Sequence, residues 1–311
     1  MKTAVHWAQM EERGVIWGMR FLLQVYLLFG RSILQVFLYP VVSYYWMVNR
    51  TARQANQAYL DRLADFAPHL KLSGTLFCSY RHFISFANAM IDKLAAWSGA
   101  ISPAEVTYHG RDQVIAEIGN GRGMLLLGAH LGNLEVCRII STFDKTVRIN
   151  VLVHTKHAQK FNKVLHQAND KSLLNIIQVT EITAATSQLL YDKIEAGELI
   201  IMAADRTPVS KGQRVSKARF LGADAWFPQG PFILAGLLKC PVYTLFCLKQ
   251  QGKYVIYFES FSKIIQFQKN SREQAMQQLI QRYAQRLEKY CLIEPLQWFN
   301  FYDFWQDADD K

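Results

Sequence analysis

Paired cysteines are missing from this chain of 311 residues. Its five cysteines are scattered and contain no Cys-x-x-Cys pair: Cys78, Cys137, Cys240, Cys247 and Cys291. This usage is typical of buried thiols in a reducing compartment and argues against a disulfide framework or a zinc site. No activating neighbour marks any of the thiols as a nucleophile.

An uninterrupted run of about 20 apolar residues, which a membrane-spanning helix requires, is also lacking. Residues 15–29 and 33–48 are each strongly apolar, but Gly30 and Arg31 separate them. Their tryptophans and tyrosines suit the lipid headgroup zone and their arginines suit anionic lipid, so we predict two helices in or on a membrane surface. The alternative is a helical hairpin packed on the protein's own core. Acidic residues come early and no cleavage site follows, which argues against a signal peptide.

Positive charge exceeds negative charge, with 35 Lys+Arg against 25 Asp+Glu and a net charge of +10. The excess favours an anionic partner such as anionic lipid or an acidic carrier protein. The basic residues are dispersed and no base-stacking motif accompanies them, so we do not expect nucleic acid as a partner.

The middle of the chain alternates between strand and helix patterns. Strands are predicted over 123–129, 148–154, 176–180 and 199–204, with helices over 133–141, 157–169 and 184–196. This alternation predicts an α/β fold with a mostly parallel sheet flanked by helices on both faces. A hairpin over 241–248 and 254–260 and a helix over 271–290 follow. We expect residues 1–50 to form a helical membrane-associating segment and residues 51–311 to form the catalytic domain.

His130 and Glu135 stand five positions apart, directly after the apolar run 124–129. Residues at this spacing inside one regular helix point about 140° apart, so His130 must precede the helix if the two side chains are to meet. We expect the helix to begin at Asn133, so that Glu135 in its first turn reaches one imidazole nitrogen. The partial positive charge of a helix start disfavours the imidazolium, which suits a general base. A histidine that only caps the helix is the alternative.

A second polar cluster follows the strand predicted over 199–204. Active sites gather at the carboxyl ends of parallel strands, so Asp205 and His130 are expected at the same edge of the sheet. Basic residues then crowd one loop: Arg206, Lys211, Arg214, Lys217 and Arg219. Such a cluster suits phosphate or an acidic carrier protein, whereas an ordinary ion pair beside solvated lysines is the alternative.

Two later segments have less regular patterns. The Gly and Pro residues in 220–231 predict a tight turn that leads into a helix over 232–239. Residues 294–305 are rich in aromatics without a helical or strand period. They suit either a cover over an apolar cleft or an edge of the core.

Taken in order, these motifs resemble the late acyltransferases of bacterial lipid A biosynthesis and their relatives in the lysophospholipid acyltransferase superfamily. The stretches that carry the resemblance are 128–135, Ala204-Asp205-Arg206, Phe220-Leu221-Gly222, Pro228-Gln229-Gly230-Pro231, Pro241-Val242 and Pro295-Leu296-Gln297-Trp298. The ending over 297–305 is similar to the predicted acyltransferase branch linked to aryl-polyene-type lipid pathways. The Glu-Gly-Thr-Arg acceptor motif of the glycerolipid branch is absent.

The resemblance implies acyl transfer from a thioester, carried by acyl carrier protein or coenzyme A, to a hydroxyl or amine of a membrane-resident lipid acceptor. His130 would take the acceptor proton, Glu135 would hold its tautomer, Asp205 would orient Arg206, and Arg206 would bind phosphate or the carbonyl. Substrate binding is expected at Asn133, Asp205, Arg206, Arg214, Gly222 and Gly230. No metal or cofactor is implied, and the expected location is the cytoplasmic face of the bacterial inner membrane, peripheral or monotopic.

Two other functions fit the same pattern. A thioester or lipid hydrolase would use water in place of the acceptor, although the chain has no Gly-x-Ser-x-Gly elbow. A catalytically inactive, membrane-bound lipid-binding or scaffold protein would keep the fold without chemistry. The presence of both His130 and Glu135 argues against this third function.

Overall fold

The computed structural model describes residues 15–137, 147–153, 174–179, 183–207 and 214–305. The helix predicted over 157–169, residues 138–141 of the helix predicted over 133–141, and Lys211 lie outside these ranges. The described elements place the candidate site at one edge of a single large sheet.

Three helices open the described chain. Helix α1 (Val15–Val48) has non-helical backbone angles at Gly30, where the sequence predicts an interruption. Helix α2 (Arg50–Phe66) is capped by the Asn49 side chain, and helix α3 (Leu76–Ser98) is capped by Thr75. None of the described helices combines the length and the apolar character that crossing a bilayer requires.

The main sheet has seven strands and is mostly parallel, as predicted. Its strands are β1 (Val106–His109), β2 (Leu125–Gly128), β3 (Ile149–Val153), β4 (Leu174–Gln178), β5 (Leu199–Ala203), β8 (Val242–Gln250) and β9 (Lys253–Ser262). The order across the sheet is β1-β9-β8-β2-β5-β3-β4. Only the β8–β9 pair is antiparallel, which confirms the predicted hairpin.

Four further helices connect or flank these strands. They are α4 (Arg111–Gly119), α5 (Ala184–Glu195), α6 (Gly230–Leu238) and α7 (Arg272–Ile293). Alternate residues of β2 face two different cores. Leu127 packs into the core that includes Tyr283 of α7, whereas Leu126 packs into the core that includes Ile91 of α3. The strand is therefore buried on both faces, as its continuous apolar sequence indicates.

Residues 214–231 differ from the prediction. Instead of a single turn, they form a separate antiparallel hairpin, β6 (Val215–Phe220) with β7 (Ala223–Pro228), before α6 begins. Leu221 and Gly222 have positive φ angles of 47° and 79° and make the tight turn between the strands. Charged residues such as Lys217 and Arg219 conceal the strand pattern in the sequence.

Candidate active site

The loop that follows β2 carries His130 and is held on two sides. On one side, Gly132 N–H donates to Gln297 (2.8 Å), and the carbonyl of His130 accepts from Phe299 N–H (2.8 Å). On the other side, Asn133 N–H donates to the carbonyl of Cys247 on β8 (2.9 Å). The loop is therefore clamped between β8 and the segment 295–299.

Glycine is required at position 132. Its φ is 69°, and a Cβ atom there would lie 1.8 Å from the carbonyl oxygen of Cys247. Any side chain would push the loop away from β8 and would also strain the backbone.

The imidazole of His130 is hydrogen-bonded to Asp205. Nδ1 lies 2.8 Å from Oδ1 of Asp205, and the backbone N–H of His130 donates to Oδ2 (2.9 Å). The same Oδ2 accepts from the indole Nε1–H of Trp298 (3.1 Å). Asp205 is buried, and three donors thus surround its carboxyl group.

This pairing fixes the tautomer of His130. Burial raises the pKa of Asp205, but the charges of His130 and Arg206 and the hydrogen bonds from His130 outweigh it and lower that pKa to about 2. Asp205 is therefore an ionised acceptor, so Nδ1 of the neutral imidazole must carry the hydrogen. The lone pair is then on Nε2. The side chain is 36% exposed, so it remains accessible from solvent.

Several groups keep His130 neutral. Burial lowers the pKa of His130, and the charges of Arg206 and Lys93 lower it further, while the carboxylate of Asp205 acts in the opposite direction. The net shift is downward. The direction agrees with the sequence-based expectation, but burial and neighbouring cations cause it rather than a helix start.

The structure corrects the expected partner of the imidazole. Glu135 forms an ion pair with Lys93 of α3 (3.0 Å), and Nδ1 of His130 is bonded to Asp205 instead. Residues 134–137 form a short 3₁₀ turn rather than the first turn of an α-helix. Asn133 shapes this turn, since its side chain accepts from Glu135 N–H (3.1 Å) and donates to the carbonyl of Ala89 (3.2 Å).

The expected Asp205–Arg206 arrangement also changes. Asp205 is hydrogen-bonded to His130 and Trp298, whereas Arg206 donates to the carbonyl of Phe299 (3.0 Å). Arg206 affects both Asp205 and His130 through its charge. Asp205 therefore orients the imidazole, the role that the sequence suggested for Glu135.

Three other expected site residues lie on the β6–β7 hairpin and at the start of α6. Gly222 lies in the hairpin turn and lines a cleft of about 440 Å³ beside Asp61 and Phe66 of α2. Arg214 and Gly230 flank the hairpin, and the backbone carbonyl of Arg214 accepts from Gln229 N–H (3.0 Å). The hydrogen bonds of His130 run to Asp205 and Phe299, not to these residues.

Trp298 and Lys93 are functional candidates that the sequence did not single out. Trp298 is fully buried and packs edge-to-face on Tyr59, Phe220 and Phe304 at centroid distances of 5.0, 5.2 and 5.0 Å. The aromatic segment is thus an edge of the core and also part of the site. Its Pro-Leu-Gln-Trp stretch is one of the resemblance motifs, but only the fold shows that the indole reaches Asp205.

Comparison with known proteins identifies the family of the chain. No curated protein matches the chain. Residues 79–307 match the family model described as bacterial lipid A biosynthesis acyltransferase, and this range includes His130, Glu135, Asp205 and Trp298. The matched range is more than half of the 311 residues. The chain therefore belongs to the bacterial lipid A biosynthesis acyltransferase family, and it is an acyltransferase that acts on a lipid acceptor.

Proposed function

We propose that this enzyme transfers a fatty acyl chain from a thioester to a hydroxyl or amine of a membrane lipid or glycolipid, with His130 as general base. The observation that carries the proposal is the bond between His130 Nδ1 and the buried carboxylate of Asp205, which leaves Nε2 as the proton acceptor. Asp205 takes the orienting role, and Glu135 acts from further away by pairing with Lys93.

The reaction needs no acyl-enzyme. Nε2 of His130 takes the proton of the acceptor O–H or N–H while the acceptor atom attacks the thioester carbonyl carbon. The tetrahedral intermediate then expels the thiolate, and the imidazolium returns the proton to sulfur. The carboxylate of Asp205 stabilises the imidazolium in between, as in other His–carboxylate pairs.

Cationic side chains beside His130 are suited to the charge that develops. Arg206 and Lys93 are close enough to lower the pKa of His130 by their charge. The same two positive charges favour the binding of an oxyanion or a phosphate near the imidazole. Arg206 is also held in place by the carbonyl of Phe299.

The β6–β7 hairpin offers a basic surface for the donor. Lys217 and Arg219 are exposed on it, and Lys217 lies over the ring of Trp226 (4.8 Å). A surface of this charge favours an acidic acyl carrier protein as donor, with coenzyme A as the competing donor. The resemblance of residues 297–305 supports an acceptor of the aryl-polyene-linked branch.

The second half of α1 directs several polar side chains toward α3 and many large apolar side chains toward solvent, while Leu34 and Val42 are buried in the core. Toward α3, Gln35 donates to Asn88 (2.7 Å), Ser43 bonds to Tyr80 (2.9 Å) and Trp46 donates to Ser79 (3.1 Å). Toward solvent, α1 presents large apolar side chains: Ile33, Val36, Phe37, Val41, Tyr44 and Met47.

Leu76 and Phe77 at the start of α3 extend this apolar surface, with exposures of 57% and 70%. A patch of this kind is typical of contact with a bilayer. We therefore place α1 in a monotopic contact with the cytoplasmic face of the inner membrane, where both thioester donors are available.

The transfer is tested in bacterial cells that express the wild-type chain, the His130→Ala variant or neither, with lipids compared by mass spectrometry. Wild-type cells should gain an acylated lipid that the other two lack, since the variant has no base. Thermal unfolding of the purified variant checks that it is folded. Free fatty acid without a new acylated lipid would indicate a hydrolase, and identical lipids in all three strains would indicate an inactive binding protein.

Membrane contact is tested by sedimentation with phosphatidylglycerol vesicles. Val36→Asp combined with Phe37→Asp places charge on the outward face of α1, where the side chains are 68% and 64% exposed. We expect vesicle binding to fall at least tenfold without unfolding. Ile264→Asp is the matched control, because Ile264 is 46% exposed beyond β9 and away from α1. Equal binding by the double variant and the control would contradict the assignment.

A further inference from the structure

A second histidine lies fully buried behind the site. His82 on α3 accepts a hydrogen bond at Nδ1 from the side-chain amide of Asn56 on α2, which is also fully buried. An amide N–H₂ can only donate, so Nε2 of His82 carries the hydrogen. The backbone of Trp298 lies close enough to affect the imidazole, although Nε2 makes no standard hydrogen bond.

His82 stays neutral, so it does not itself transfer a proton. Burial lowers the pKa of His82 to about 3, and the contact with the Trp298 backbone opposes this only in part. Aromatic rings surround the imidazole: Tyr59 at 5.7 Å, Phe301 at 5.1 Å and Phe299 at 6.0 Å between centroids. A neutral imidazole buried in this way has only hydrogen-bond geometry and packing to contribute.

Trp298 connects this buried pair to the site. The ring of His82 packs on Phe299, the residue that follows Trp298 (6.0 Å), and the indole N–H of Trp298 donates to Asp205. The ring of Tyr59 packs on both, at 5.7 Å from His82 and 5.0 Å from Trp298. Ring packing through Tyr59 therefore connects the Asn56–His82 pair to Trp298, and hydrogen bonds connect Trp298 to Asp205 and His130.

We propose that His82 is a positioning residue, which fixes Trp298 so that the indole N–H restrains Asp205 and, through Asp205, sets the basicity of His130. The inference rests on the proposed function of His130 as general base. It assigns to α2 and α3 a part in the chemistry beyond support of the sheet.

Loss of the indole bond should change the basicity of His130 in a defined direction. An Asp205 carboxylate with one donor fewer is more basic and attracts the imidazole proton more strongly, so the pKa of His130 should rise. The other groups that act on His130 are Arg206, Lys93 and the Glu135 paired with Lys93, and they stay in place. The acid limb of the kcat/KM profile should therefore move to higher pH.

The experiment measures pH profiles of acyl transfer from radiolabelled lauroyl-acyl carrier protein to a lipid extract of bacterial membranes, with the full chain in detergent. His82→Phe removes both polar contacts and keeps a ring, and Trp298→Phe removes the indole donor directly. We expect each of these two variants to lower kcat about tenfold and to shift the acid limb of the profile about one pH unit higher. This is the shift expected for the loss of one hydrogen bond to a carboxylate. The double variant should show no further shift.

Two variants separate positioning from a general loss of structure. His82→Gln keeps an acceptor for Asn56 and a donor toward Trp298, so its pH profile should be close to that of the wild type. It also allows the proposal to be tested if His82→Phe fails to fold. Ser79→Ala is the matched control, since Ser79 is buried on the same helix but bonds to Trp46. It should lower the melting temperature and leave the pH profile unchanged.

The outcomes are distinct. If His82→Phe and His82→Gln keep the wild-type acid limb while His130→Ala abolishes transfer, the positioning role is wrong and the proposed function stands. If His130→Ala retains transfer, the proposed function itself fails.

Discussion

Replacement of Asp205 by asparagine should impose the wrong tautomer on His130. In the native site Oδ2 receives two donors, the N–H of His130 (2.9 Å) and the indole N–H of Trp298 (3.1 Å), while Oδ1 faces Nδ1 (2.8 Å). An amide N–H₂ at the Oδ2 position would meet both donors. The asparagine must therefore place its oxygen there and its N–H₂ toward Nδ1, which then has to accept.

The hydrogen of the neutral imidazole would move to Nε2, and His130 would lose the lone pair that takes the acceptor proton. The same change in a Ser-His-Asp triad costs about 10⁴ in kcat. We expect a loss of about 10³ to 10⁴ here, which corresponds to about 4 to 5.5 kcal/mol of transition-state stabilisation. The melting temperature should change little, because asparagine has the same shape as aspartate.

Transfer from radiolabelled lauroyl-acyl carrier protein to a membrane lipid extract gives the rates. Glu135→Gln is the matched control, because it removes a carboxylate that pairs with Lys93 rather than with His130. It should lose much less activity than Asp205→Asn. The opposite result is that Asp205→Asn keeps more than one tenth of the wild-type rate while Glu135→Gln is nearly inactive. It would indicate that Glu135 is the orienting carboxylate and would refute the assignment of Asp205.

Two further predictions concern stability. Gly132→Ala should lower the transfer rate by at least 10² and also lower the melting temperature, because its Cβ would overlap the carbonyl of Cys247. In the control Gly121→Ala nothing lies within 4 Å of the new Cβ, so only the backbone strain of about 1 to 2 kcal/mol should appear. Equal losses in both variants would argue against the clamp. Acid should destabilise the fold through His82, since the unfolded chain binds a proton below pH 6.5 that the native His82 binds only near pH 3. The free energy of unfolding should therefore be lower by about 2 kcal/mol at pH 5 than at pH 7 and should keep falling toward pH 3. Urea titrations measure it, and a His82→Gln variant with the same pH dependence as the wild type would contradict this cause.

The sequence predicts the architecture well where one pattern dominates. The bounds of the apolar strands β2, β3 and β5 and of the β8–β9 hairpin lie within two residues of those predicted. Buried parallel strands read as continuous apolar runs, and these runs are visible without any tertiary information. Strand β1 and the hairpin β6–β7 are missed, because charged and polar residues interrupt them.

The site is only half visible in the sequence. His130 follows one predicted buried strand and Asp205 follows another, so both are expected at the same end of a parallel sheet. Nothing in the spacing tells which carboxylate meets the imidazole. Glu135 is five positions from His130, whereas Asp205 is 75 positions away. The nearer residue is excluded by the 3₁₀ turn at 134–137, which directs Glu135 to Lys93. That choice depends on tertiary packing, which a local pattern does not contain.

The clamp formed by residues 297–299 has a consequence for biosynthesis. A nascent chain that stops short of Trp298 already contains His130 and Asp205, but it lacks the indole that restrains the carboxylate and the amide that holds the histidine carbonyl. Residues 297–299 must therefore be synthesised before His130 is held as the proposed proton acceptor. Chains truncated before Trp298 should therefore transfer far less acyl group than the intact enzyme, although they contain both His130 and Asp205.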